Sequence, residues 1–275
     1  MISLLLSIIM SVLIANLLPF FTKVKSIIIL QVFLGNYFLA SIFSFVDKGS
    51  PLSAAGSFEI ITGSITGILF FATFLIYQHN ITKNGVSLSV GVMRFSVVIP
   101  ILMALMVFGE PILWLNLAGI ILVLIAFAFL TDTRSFHSIL WLGLLFLGTG
   151  IADSILKLYE QYGLESSRPF MIYLFGSAMI FNLLVVLLKK TQFHFSSFCF
   201  GMILGIPNRL TTKYFLDALQ QIPASIVYPI FAASVVVLGV FSDIMIWKKK
   251  FNYKQRIALA IMVAGIALLY FRTGI

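Results

Sequence analysis

Four basic residues stand inside long apolar stretches of this chain: Arg94, Lys157, Arg209 and Lys213. Asp153 and Asp217 are acidic residues in the same kind of setting. If those stretches cross lipid, an ionisable group at the centre costs on the order of 3 kcal/mol by insertion scales, so each needs a partner, water or a task. Asp153 and Lys157, Arg209 and Lys213, and Lys213 and Asp217 are each four apart, which puts each couple on one helical face. Ion pairs that merely make insertion tolerable account for Asp153–Lys157 and Lys213–Asp217 as well as a ligand site does. The two lysines can also extend along their stems toward an interface. Arg94 and Arg209 are harder to explain, because neither has a carboxylate three or four residues away. Two guanidinium groups turned into a water-filled cavity would hold a carboxylate or phosphate in a bidentate fork. The expected ligand is therefore an anionic or zwitterionic small molecule.

Helix breakers accompany these charges. Pro207-Asn208-Arg209 interrupts one apolar stretch, Pro229 follows Tyr228 in another, and Pro100 lies six residues after Arg94. A proline frees a carbonyl and bends a helix, which can aim side chains into a cavity, although a simple packing kink explains it equally. The candidate substrate-binding set is Arg94, Arg209, Asn208, Asp153, Lys157, Lys213 and Tyr228. Asn208 reads equally as hydrogen-bonding glue between helices, and Asn16 with Pro19 stands in the same position. Tyr159 and Tyr228 read more readily as interface anchors than as ligand contacts. His79, His137 and His194 are scattered at the ends of apolar stretches, as are Glu59 and Asp243, so they predict solvated positions and no metal site. The single cysteine, Cys199, excludes an internal disulfide and any cysteine-based cluster. No cofactor is expected.

The elements that must position these residues follow from composition. Of 275 residues 61% are hydrophobic and 10% charged, with a mean hydropathy of +1.11. A soluble domain carries roughly a quarter charged residues, so the outer surface here must meet a lipid bilayer. The net charge of +9 resides in separated loops with no basic stripe, which argues against nucleic acid. Apolar runs long enough to cross a core of ~30 Å occupy 2–22, 26–46, 56–78, 85–108, 112–131, 138–159, 169–188, 195–218, 224–247 and 255–272. The first has no basic segment before it and no cleavage site after it, so it reads as a retained span. Continuous runs of this length predict helices and argue against a barrel.

Asn84-Gly85-Val86-Ser87 opens the fourth run much as Ile222-Pro223-Ala224-Ser225 opens the ninth, 138 residues later. Each is followed by a long apolar stretch, a charged hinge (Gly109-Glu110-Pro111 or Lys248-Lys249-Lys250) and a last run with small residues. The expected architecture is an all-α transmembrane bundle of ten helices, built from two inverted five-helix repeats, 1–134 and 135–275, in one membrane domain. In layout, in Val107-Phe108-Gly109-Glu110, in Ala218-Leu219-Gln220-Gln221-Ile222-Pro223-Ala224-Ser225, and in Leu259–Leu269 with Ala264-Gly265, the chain resembles the EamA branch of the drug/metabolite transporter superfamily. Its second hinge departs from the family, with lysines where an acidic residue is expected. The resemblance implies a transporter of small metabolites in a bacterial-type inner (plasma) membrane.

Two other classes compete. A small-multidrug-type cation exporter would want a membrane carboxylate in the first span, yet no Asp or Glu precedes Asp47. Asp153 leaves proton coupling open. An intramembrane transferase needs clustered acids or histidines at one interface, and the nine acidic residues are dispersed. Gly35, Gly63-x-x-x-Gly67, Gly143, Gly148-Thr149-Gly150 and Gly201-x-x-x-Gly205 predict close helix packing within the bundle ahead of oligomerisation, leaving monomer or homodimer open. Loops after odd-numbered spans carry eleven basic residues and the others three, which places the odd loops in the cytoplasm and both termini outside. The family resemblance implies the reverse.

Overall fold

The computed structural model describes residues 1–22, 27–131, 138–245, 248 and 252–270. Lys23, Lys25, Arg134, His137, Lys249, Lys250 and Arg272, and the side chain of Pro19, lie outside the described residues. Regular structure among the described residues is helical throughout. The elements are α1 (Ile2–Thr22), α2 (Ile29–Val46), α3 (Ser57–Asn84), α4 (Val86–Phe95), α5 (Val98–Met106), α6 (Trp114–Leu130), α7 (Ile139–Tyr162), α8 (Arg168–Leu188), α9 (Phe195–Leu219), α10 (Ala224–Met245) and α11 (Tyr253–Tyr270), with one short 3-10 turn, Leu52–Ala54. Among the described residues, seven segments are long and apolar enough to cross a membrane: α2, α3, Leu88–Met106, α7, α8, α10 and α11. Backbone polar groups that face lipid must be paired within their own segment, and helices do this. The apolar side chains on the outside fit the same account; Val46, Met106, Trp114, Ile139 and Leu188 are all more than 70% exposed.

The fourth apolar run forms two helices, not one. Proline at position 100 has no N–H for the Ser96 carbonyl, and its ring crowds that oxygen. The chain responds one turn earlier, at Ser96-Val97: Ile99 N–H bonds Ser96 O at 3.0 Å, a tighter three-residue step. Arg94 lies at the C-terminal end of the first half, just before the break.

Two compact units organise the chain, and neither follows a single half of the sequence. The first comprises 1–71 and 158–218, the second 72–157 and 219–275. Within the first unit, α2 packs on α8 and α9, and α3 on α8. A side chain on Gly35 would collide with the Phe198 carbonyl, and one on Gly201 with that of Val32, so these glycines let α2 and α9 touch backbone to backbone. Gly63 and Gly67 do the same for α3 against α8. The packing role expected of these glycines is their role here. Phe71 packs edge-on against both Tyr37 and Phe181.

The connections of this unit are tied by polar side chains. Arg168 donates to the Phe45 (2.7 Å), Ser50 (3.0 Å) and Ser44 (3.4 Å) carbonyls, closing the C-terminal end of α2. Glu59 is buried and not solvated, as its place near a span end had suggested; its carboxylate accepts from Gly56 N (2.9 Å) and Leu164 N (3.2 Å). Tyr159 is no interface anchor either. It is 1% exposed, stacks on Phe170 at 4.1 Å and donates to the Leu164 and Ser166 carbonyls.

Within the second unit, α6 and α11 pack where Gly119 meets the Gly265 carbonyl, and α10 packs on α5, α6 and α11. Asn80 and Asn84 tie the end of α3 to the start of α7, through Trp141 O (2.7 Å) and Ser138 N (3.0 Å). His79 belongs to this helical end, its ring 4.2 Å from that of Trp141, which corrects the expectation of a solvated loop residue.

Candidate functional site

In the second unit four helices bring their polar groups together. Arg94 comes from the end of α4, Asp153 from the middle of α7, Tyr77 from α3 and Tyr228 from α10. The Asp153 carboxylate and the Arg94 guanidinium attract one another, and Tyr77 lies within the field of Arg94. Arg94 Nε is buried and meets no hydrogen-bond acceptor among the described residues. A guanidinium has five N–H donors, so Arg94 retains capacity for an oxygen ligand that Asp153 alone does not saturate. Tyr228 is buried, not an interface anchor; its hydroxyl donates to the Asp153 carbonyl at 2.5 Å and fixes α10 against α7 beside the carboxylate.

Lys157, one turn beyond Asp153, forms its ion pair with Glu110, at 3.0 Å, and lies over the Phe108 ring at 5.4 Å. Glu110 also accepts from Ala224 N (3.0 Å), Ser225 N (2.9 Å) and Ser225 Oγ (2.8 Å), and so caps the N-terminus of α10. Burial pushes the Glu110 carboxyl up, but the Ser225, Ala224 and Lys157 hydrogen bonds outweigh it and hold it below the ordinary carboxylate range. Gly109 adopts φ +61°, and Glu110 N–H returns to the Ala104 carbonyl at 3.0 Å. This turn favours glycine and delivers the following carboxylate to its four donors.

The remaining sequence candidates gather in the first unit. Arg209 and Lys213 of α9 both reach Asp47, the residue that ends α2, Arg209 through a close ion pair and Lys213 at 3.5 Å. Asp217 lies within the field of all three. Burial raises the Asp47 carboxyl, yet the bond and charge of Arg209, then those of Lys213, bring it below its ordinary value. Arg209 is thus compensated by a carboxylate 162 residues away, which no local spacing could reveal. Its Nε is buried without an acceptor among the described residues. Asn208 donates to Asn36 Oδ1 at 3.1 Å, joining α9 to α2. Sequence reasoning passed over Tyr77 and the donors around Glu110. Glu110 had a signal, its place after Gly109 in a charged hinge; Tyr77 had none.

Among the described residues no group of His, Cys, Asp and Glu could hold a metal. The fold and these internal charges define an all-α, multi-pass membrane protein. No family model matches the sequence. The chain is similar to an uncharacterized protein of Haemophilus influenzae, 25% identical over 286 residues that cover 98% of this chain and 97% of the relative. Its fold is that of a protein of solved crystal structure, with a TM-score of 0.75 at 13% identity, covering 98% of each chain.

Proposed function

We propose that this protein is a transporter of a small zwitterionic or anionic metabolite in a bacterial inner membrane, of the EamA-like drug/metabolite type. It works by alternating access of two inverted five-helix repeats. The observation that carries the reading is Arg94: a buried guanidinium beside a helix break, attracted to Asp153 and with an N–H left over. Discontinuous spanning helices are where secondary transporters place substrate groups, because freed backbone and an intramembrane charge come together there. Asp153 sets an acidic side chain beside the guanidinium, which favours a ligand carrying both a carboxylate and a positive group.

The test has two stages. A thermal-shift panel of amino acids, dicarboxylates and phosphate esters identifies a stabilising compound through mass action, and that compound is then offered to proteoliposomes. Arg94→Gln should abolish both the shift and uptake while the variant remains monodisperse, and Arg94→Lys should retain a fraction of each. Wild-type uptake by Arg94→Gln would end this site assignment. An intramembrane transferase gains no support from any specific arrangement among the described residues.

A further inference from the structure

Two cross-links join α7 to α10 in the second unit, one helical turn apart. The inner one is the Tyr228 hydroxyl on the Asp153 carbonyl, at 2.5 Å. The outer one runs from Lys157 through the Glu110 carboxylate to Ala224 N, Ser225 N and Ser225 Oγ, at 2.8–3.0 Å. Asp153 and Lys157 are four residues apart on α7, and Ser225 and Tyr228 three apart on α10, so each helix presents both rungs on one face. Glu110 belongs to neither helix. It is supplied by the α5–α6 turn, where Gly109 at φ +61° readily adopts the left-handed backbone that aims it.

We propose that Glu110 is the positioning residue of the Arg94–Asp153 site. It acts by capping α10 and so holding Tyr228 on the Asp153 carbonyl. The inference rests on the reading of Arg94 and Asp153 as the site. Three donors of α10 converge on one carboxylate, and the Lys157 ammonium completes it. The first turn of α10 therefore has no other side-chain acceptor for its Ala224 and Ser225 N–H groups among the bonds seen here. Remove the acceptor and that turn frays, because orphan amides at a buried helix start must find water. Tyr228 lies one turn further in and is displaced with it. The α5–α6 hinge is thereby mechanically connected to the carboxylate that faces Arg94.

The capping role separates from the ion pair by chemistry. Removing Glu110 alone strands the buried Lys157 charge and could unfold the protein, so the informative variants are neutral pairs. Glu110→Gln with Lys157→Met keeps an oxygen acceptor for the α10 amides. Glu110→Leu with Lys157→Met keeps the volume and loses the acceptor. Each is made in a Cys199→Ser background, which removes the only native cysteine, carrying either Val227→Cys, beside Tyr228, or Val235→Cys, two turns further along α10. Both valines are buried, at 0% and 3% exposure.

N-ethylmaleimide should modify Val227→Cys at least about tenfold faster in the Leu/Met pair than in the Gln/Met pair, a difference of about 1.4 kcal/mol. The rate at Val235→Cys should be the same in both. Equal rates at Val227→Cys, or an equal rise at both positions, would overturn the proposal, the second by revealing general loosening. Alkylation reads the geometry without substrate. A protein that transports nothing leaves this result standing, and active uptake with unchanged alkylation sinks this inference alone.

Discussion

At the scale of single residues, the charges in this protein are held by partners far away in the chain. Arg209 and Lys213 share the Asp47 carboxylate, and Lys157 takes that of Glu110. A buried cation whose partner is removed is left uncompensated, which is worse than never having had the pair. Asp47→Asn should therefore lower stability in detergent by about 2 kcal/mol, below the roughly 3–5 kcal/mol of a fully buried pair, since the Asp47 side chain is 23% exposed. Its pH dependence has a definite sign. Arg209 and Lys213 depress the carboxyl below its ordinary 3.8, so its contribution is complete above that value and is lost as pH falls through the lower folded one. Thermal unfolding of the two proteins should differ at neutral pH and converge in acid below 3.8. A constant difference down to the lowest accessible pH would refute the assignment of Asp47 as the ionised partner. The same logic explains what was readable in advance. The types Arg94, Asp153, Arg209 and Lys213 were conspicuous as charges in apolar runs, because burial of charge is expensive wherever it occurs. The partners of Arg209, Lys213 and Lys157 were not conspicuous, because Asp47 and Glu110 sit in turns where an acidic residue is unremarkable.

At the scale of elements, the helix break between α4 and α5 is the feature most directly traceable to one residue. Pro100 withholds a hydrogen from Ser96 O, and the chain reorganises at Ser96-Val97 beside Arg94. Pro207 and Pro229 lie inside α9 and α10 without dividing them. Pro100→Ala supplies the missing N–H and should fuse the two helices. Hydrogen exchange across 96–101 is expected to slow by about tenfold or more, as an added ladder bond of roughly 1 kcal/mol recruits its neighbours. If the proposed transport reading holds, uptake should fall as well, because a continuous helix withdraws the backbone freedom next to Arg94. Unchanged exchange would mean that packing, not proline, maintains the break. Among the described residues, seven of the expected ten spans are long and apolar enough to cross. Of the others, α6 is an apolar helix of 17 residues, Trp114–Leu130, and α9 carries Arg209, Lys213 and Asp217 within one stretch. Two of the charges that interrupt hydropathy in α9, Arg209 and Lys213, are those that bind Asp47.

At the scale of the molecule, orientation is the open physical choice: on the ten-span layout expected from the sequence, eleven basic residues fall in loops after odd-numbered spans against three in the others. The potential and lipid charge of the membrane favour retaining basic loops in the cytoplasm. A C-terminal phosphatase fusion should accordingly be active on the outer side and a fluorescent fusion dark there; the opposite pattern would favour the orientation implied by the transporter resemblance. Composition determined that the chain meets lipid, because too few polar residues exist to cover a water-facing surface, and long continuous apolar runs determined that it crosses as helices and not as barrel strands. Apolar run lengths located most helices to within a few residues of their ends, but α3 continues to Asn84, past the expected 78, and the run 85–108 divides into α4 and α5; Gly201-x-x-x-Gly205 announced a close helix contact. Which pieces share a unit was decided only in three dimensions, where 1–71 joins 158–218 and 72–157 joins 219–275. So were the pairing of Arg209 with Asp47 and the capture of Glu110 by α10. Helix formation is a property of neighbouring residues, legible by period and length. Pairing of distant charges depends on which helix faces lie together, and no local pattern carries that information.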